Sequence, residues 1–129
     1  MNLKKFKKKI RFNWKNEIIN IKSIEVKHGN INALAFVINN KCAYASDINK
    51  IYKKDFKYFY NLKYFVVDCL RLIPHPSHFH LEELLDLIDV IKPKKTILTN
   101  LHSDLDYNYL LKILPRHVKP AHDGLTFYI

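Results

Sequence analysis

Tyr64-Phe65-Val66-Val67-Asp68-Cys69-Leu70-Arg71, then Pro74-His75-Pro76-Ser77-His78-Phe79-His80, then Leu81-Glu82-Glu83-Leu84-Leu85: the reading of this stretch decides the fold. Residues 64–67 are a continuous apolar run, the pattern of a strand buried on both faces. The two prolines keep the middle of the stretch out of any helix interior. Leu81, Leu84, Leu85 and Ile88 then recur at helical spacing. Glu82 and Glu83 fall in the first turn, where the macrodipole favours acids. The order is buried strand, shaped loop, helix. The loop carries three histidines, side chains that titrate near neutral pH, ligate metals and donate to phosphate.

Upstream the pattern has the period of strands. Residues 18–27 alternate apolar and polar and are broken by His28-Gly29-Asn30. Residues 33–38 read as a second strand, Asn39-Asn40 as a hairpin-like turn, and 42–45 as a third strand stopped at Ser46-Asp47. Residues 50–62 are aromatic-rich and read as partly helical. Downstream, Pro93 ends the helix and 96–98 form another buried strand. Ser103 or Asp104 can cap a helix carrying Tyr107, Leu110, Leu111 and Leu114. Short strands around Val118 and over 125–128 close the chain. Hairpins followed by strand–helix alternation give an α/β (α+β) fold with a mixed sheet and flanking helices. Residues 1–16 read as a basic tail, and 17–129 as a single domain.

The chain has 129 residues, enough for one domain with a core. Its 48% hydrophobic content, with eight Tyr and eight Phe, excludes a disordered class. No apolar run nears the ~20 residues that span a bilayer. No apolar segment follows the basic start, so no secretory signal is expected. Cys42 and Cys69 are too few and too far apart for a disulfide framework, and the cytoplasm is the expected compartment. The net charge of +10 invites a nucleic-acid reading. Only Arg11, Arg71 and Arg116 are arginines, however, and phosphate and base-edge readers favour that residue. Nucleic acid is therefore the weaker reading.

Chemically able residues recur at strand ends, where ligand sites of α/β sheets gather: His28, Asp47, Asp68 and His102. His, Asp and His from separate strand ends can make a zinc site or one for a harder metal. His75 and His78 are either site residues or loop residues bonded to backbone. Asp68 either orients a ligand histidine or makes a plain turn. Arg71 either meets phosphate or pairs with a carboxylate.

Five segments in order carry a resemblance: Val26-Lys27-His28-Gly29, Ala43-Tyr44-Ala45-Ser46-Asp47, Val67-Asp68-Cys69-Leu70-Arg71 leading to Pro74–Phe79, Leu98-Thr99-Asn100-Leu101-His102-Ser103-Asp104, and His122-Asp123-Gly124-Leu125. From about Ile21 to its end the chain resembles the C-terminal half of metallo-β-lactamase-fold hydrolases. The closest branch is the one similar to phosphoribosyl cyclic phosphate phosphodiesterase. The resemblance implies half of an α-β-β-α sandwich. It also implies metal ligands at His28, Asp47 (bridging two ions) and His102, with His78, and His75 beside it, facing substrate. Zinc or manganese is the implied cofactor, two ions in the complete fold. The implied reaction is hydrolysis of a small phosphodiester by a metal-activated water.

The chain departs from the pattern twice. Asn100 stands directly after Thr99, where many relatives place a ligand histidine, and His102 lies two residues on. The His-x-His-x-Asp-His run of the family's N-terminal half has no counterpart in these 129 residues. The expectation is therefore a hydrolase portion whose remaining ligands come from a complementing N-terminal half or a second copy. A non-catalytic remnant and a basic nucleic-acid module are the alternatives. His80 is read as a helix cap, and His117 and His122 as structural.

Overall fold

A computed structural model describes residues 8–129. Among the described residues seven strands form one sheet in sequence order: β1 Lys9–Trp14, β2 Glu17–His28, β3 Ile31–Ile38, β4 Cys42–Ala45, β5 Tyr64–Asp68, β6 Thr96–Thr99 and β7 Val118–Pro120. The first four pair antiparallel, and β4 through β7 pair parallel. The connections explain the change. Antiparallel neighbours need only tight turns, supplied by Lys15-Asn16, Gly29 and Asn39-Asn40, all at positive φ. Parallel neighbours need crossovers. These are a segment with a 3-10 helix (Lys53–Tyr58), then α1 (Leu81–Ile91), then α2 (Tyr107–Ile113).

One face of the sheet makes the main core. Ile24, Val26, Ala35, Val37, Ala43, Ala45, Phe65, Val67 and Leu98 pack there with Leu84, Ile88 and Ile91 of α1 and Leu110 of α2. Leu84 and Leu110 have no solvent contact. At ~25 cal/mol per Å2 of apolar surface, this burial is the principal term holding the helices on the sheet.

The opposite face is apolar too. Cross-strand register places Ile10 with Ile21, Phe12 with Ile19, Ile21 with Ile38, and Phe36 with Tyr44 on that side. Its far part, Cys42, Tyr64, Val66 and Ile97, is covered by Ala121 and Phe127, whose ring stacks on Tyr64 at 4.4 Å. Its near part stays open: Phe12 is 43% exposed, Trp14 63%, Leu34 41% and Tyr44 44%.

Three expectations are corrected. The tail assigned to 1–16 contains β1, because Lys9-Ile10-Arg11-Phe12-Asn13-Trp14 alternates polar and apolar and pairs along β2. Residues 1–7 lie outside the described residues. The cap of α2 is Asp106, which accepts from the Tyr109 N–H at 2.7 Å, and neither Ser103 nor Asp104 takes that place. Residues 125–128 form no strand; Phe127 packs by its side chain. No helix among the described residues is long and apolar enough to cross a membrane.

Candidate metal centre

The exits of β2, β4 and β5 converge with the histidine loop. His28 ends β2, Asp47 follows β4, and Asp68 ends β5. Gly29 lets the loop approach. It sits at φ +58, and a Cβ there would lie 3.0 Å from the Ser77 Cβ. Asn49 clamps the approach: its Oδ1 accepts from the Gly29 N–H and its Nδ2 donates to the Pro76 carbonyl, both at 3.1 Å. Phe79, buried beyond the loop, anchors it by donating its N–H to the Ile48 carbonyl at 2.9 Å.

The result brings one ligand atom each from His28, Asp47 and His78 within 4.8 Å of one another. The histidine rings are already oriented. His28 Nδ1 donates to the Ser77 carbonyl at 2.8 Å, and His78 Nδ1 meets Asp68 Oδ2 at 2.6 Å. An imidazole whose Nδ1–H is spent on a carbonyl or carboxylate carries its lone pair on Nε2, the arrangement metal-bound histidines adopt. The two rings cross edge to face, centroids 4.7 Å apart. Asp47 takes φ 52, a left-handed conformation that Asp tolerates better than most residues, and is exposed. Two imidazoles and a carboxylate with an open side suit one catalytic-type ion.

Asp68 is fully buried, and that burial pushes its carboxyl above the usual carboxylate range while His78 pulls it partly back. Its Oδ2 also receives the Ile48 N–H at 3.4 Å, and its Oδ1 has no partner among the described residues. The sequence alternatives for Asp68 thus resolve in favour of orienting a histidine. His75 lies beside His78, centroids 5.2 Å apart, and its Nδ1 accepts from the Ser77 N–H at 3.3 Å.

His102 is held elsewhere. Its Nδ1 pairs with Asp104 at 3.0 Å and its Nε2 with Arg71 at 3.1 Å, so neither ring nitrogen is free. The expected trio of His28, Asp47 and His102 is thus represented by its first two members, with His78 in third place. Asn100, left-handed at φ 57, lines a shallow cleft with Leu98, Ala121 and His122. His80 occupies the N-cap position of α1, but its side chain makes no cap bond and meets Glu83 at 3.4 Å. Burial raises the thiols of Cys42 and Cys69 to about 11 and about 12, which removes both as nucleophiles. Asn49 was missed in the sequence, where nothing marks an Asn two residues past Asp47 as a clamp.

No protein-family model matches the chain. An octanoyltransferase of Porphyromonas gingivalis strain W83 is 26% identical over 114 residues, covering 86% of this chain and 23% of that protein. Among solved structures, a diphosphatase from the PhnP family superposes with a TM-score of 0.83 at 24% identity, over 92% of this chain and 46% of the other. The metallo-β-lactamase-fold protein YhfI from Bacillus subtilis gives 0.69 at 14% identity, over 93% and 53%. The chain therefore has the fold of part of a metallo-β-lactamase-fold domain and spans about half the length of these two structures.

Proposed function

From that fold, we propose that the chain is the portion of a metal-dependent hydrolase that carries His28, Asp47 and His78, with a phosphodiester as substrate. The convergence of those three side chains, both imidazoles held by their Nδ1, is the observation that carries this reading. Zinc or manganese there would acidify a bound water and polarise a phosphoryl oxygen. His28 and His78 offer Nε2, Asp47 offers a carboxylate, and Asp68 keeps His78 in the required tautomer. His75 shapes the loop that presents His78. Three groups suit one ion; a second ion needs ligands from a complementing segment. The buried free thiols suit a reducing compartment such as the cytoplasm.

The test is zinc and manganese affinity, measured by competition with a chromogenic chelator, for the chain and for His28→Ala and Asp47→Ala. Each substitution should weaken binding by about tenfold or more. Equal affinity in all three proteins refutes the site. Turnover of a chromogenic phosphodiester, once a complementing segment is added, tests the reaction.

A second reading, a half-domain whose task is association, is favoured by the open apolar face carrying Phe12, Trp14, Leu34 and Tyr44. Exposed apolar patches of this breadth mark interaction surfaces. A complementing apolar sheet is the occupant we favour over a second copy, since two copies would bring +10 against +10. Sedimentation of the isolated chain discriminates. A monomer that joins the complementing segment, and fails to do so as Tyr44→Lys, supports this reading; a stable homodimer overturns the choice of occupant.

A further inference from the structure

The geometry points to a binding site for a phosphate-class oxyanion at Arg71, built from the Arg71-His102-Asp104 chain of contacts. Arg71 left two alternatives open in the sequence, and the structure separates them. Among the described residues no carboxylate lies within ion-pair distance of its guanidinium. Among the described residues its one side-chain hydrogen-bond partner is His102, whose Nε2 accepts from the Arg71 Nη2 at 3.1 Å. The other face of that imidazole is fixed by Asp104 Oδ1, 3.0 Å from Nδ1. With Nε2 accepting, the proton is on Nδ1 and the ring is neutral. A neutral ring orients the guanidinium without cancelling its charge.

That charge is permanent, and the side chain is half-buried. Its Nε has no partner and no solvent contact, one of three such buried side-chain atoms among the described residues. A half-buried, uncompensated cation with unused donors is costly to keep empty-handed. The terminal Nη donors of its planar fork that are not given to His102 match the oxygens of a phosphoryl group.

Its place in the fold is fixed by backbone. The strap leaving β5 is stitched to the histidine loop by Leu70 N–H to the Phe79 carbonyl at 3.0 Å, and to the β6 exit by His102 N–H to the Leu70 carbonyl at 3.0 Å. Arg71 therefore stands at the sheet end that holds the metal centre, three residues after Asp68. For its role in catalysis the inference rests on the hydrolase reading: Arg71 grips a substrate oxyanion, while His102 and Asp104 position Arg71. The binding itself needs no metal.

The experiment exploits the presence of only three arginines, Arg11, Arg71 and Arg116. Their Nε–Hε resonances are followed in the 15N-labelled chain, with chelator present, during titration with inorganic phosphate at constant ionic strength. The Arg71 signal should shift and saturate while the other two stay still. Arg71→Lys, a point charge without the fork, should weaken phosphate by about tenfold. His102→Ala should weaken it less while leaving the Arg71 signal shiftable. Three signals moving together without saturation would mean an adventitious ion only and overturn the site, as would unchanged affinity in Arg71→Lys. Chelator keeps this result independent of the metal centre, whose own failure would appear only in the metal competition above.

Discussion

Removing Asp68 tests the link between burial and the candidate metal centre most directly. The carboxylate touches no solvent and meets His78 Nδ1 at 2.6 Å, a charge-assisted contact. Hydrogen bonds to charged groups contribute about 1.5–3 kcal/mol net, against about 1 for neutral ones. Asp68→Ala frees the His78 ring to rotate and to exchange tautomers, so zinc affinity should fall by about 10- to 100-fold, or about 1.4–2.7 kcal/mol. Asp68→Asn keeps an acceptor but loses the charge; the difference of about 1 kcal/mol predicts a loss of roughly fivefold. The assay is chelator competition near neutral pH, with thermal unfolding of the metal-free proteins alongside. Zinc affinity equal to wild type in a folded Asp68→Ala refutes the reasoning, because His78 would then need no orienting partner or hold no metal.

The same residue gives a pH signature in the metal-free chain. Burial raises its native carboxyl above the usual carboxylate range, so this group's contribution to stability is fully present at acid pH and is lost as pH rises toward the native pKa; Asp68→Asn should remove that component from urea midpoints measured across pH. Gly29→Ala forces a side chain into φ +58 and against Ser77 at 3.0 Å, and calorimetry should show a loss of about 1–2 kcal/mol or more. Leu84→Ala, at a fully buried position under the sheet, should cost about 2–5 kcal/mol by urea unfolding. Cys42 and Cys69 should resist alkylation in the native protein and react on unfolding, since burial holds their thiols at about 11 and about 12.

The elements with strong local signals were legible in the sequence. The apolar run at 64–67, the helical repeat beginning at Leu81 and the turn at Asn39-Asn40 each match the structure, because periodicity and turn chemistry act over a few residues. β1 was obscured because its basic content dominates its alternation. Its pairing partner, β2, supplies what the local signal lacks. Of the candidate site, His28 and Asp47 were readable as strand-end groups. The loop was readable as a shaped presenter of histidines.

Sequence order alone determined which residue types stand at the strand ends and that a mixed sheet would carry them. Which of them meet was a tertiary decision. The resemblance implied His102 as the ligand and His78 as a substrate-facing residue, but packing of the loop against Gly29 and Ile48 brings His78 to His28 and Asp47. The β6 exit gives both nitrogens of His102 to Asp104 and Arg71. A histidine can ligate only through a nitrogen that is free, and in His28 and His78 hydrogen bonds formed across 49 and 10 residues of chain leave Nε2 as that nitrogen.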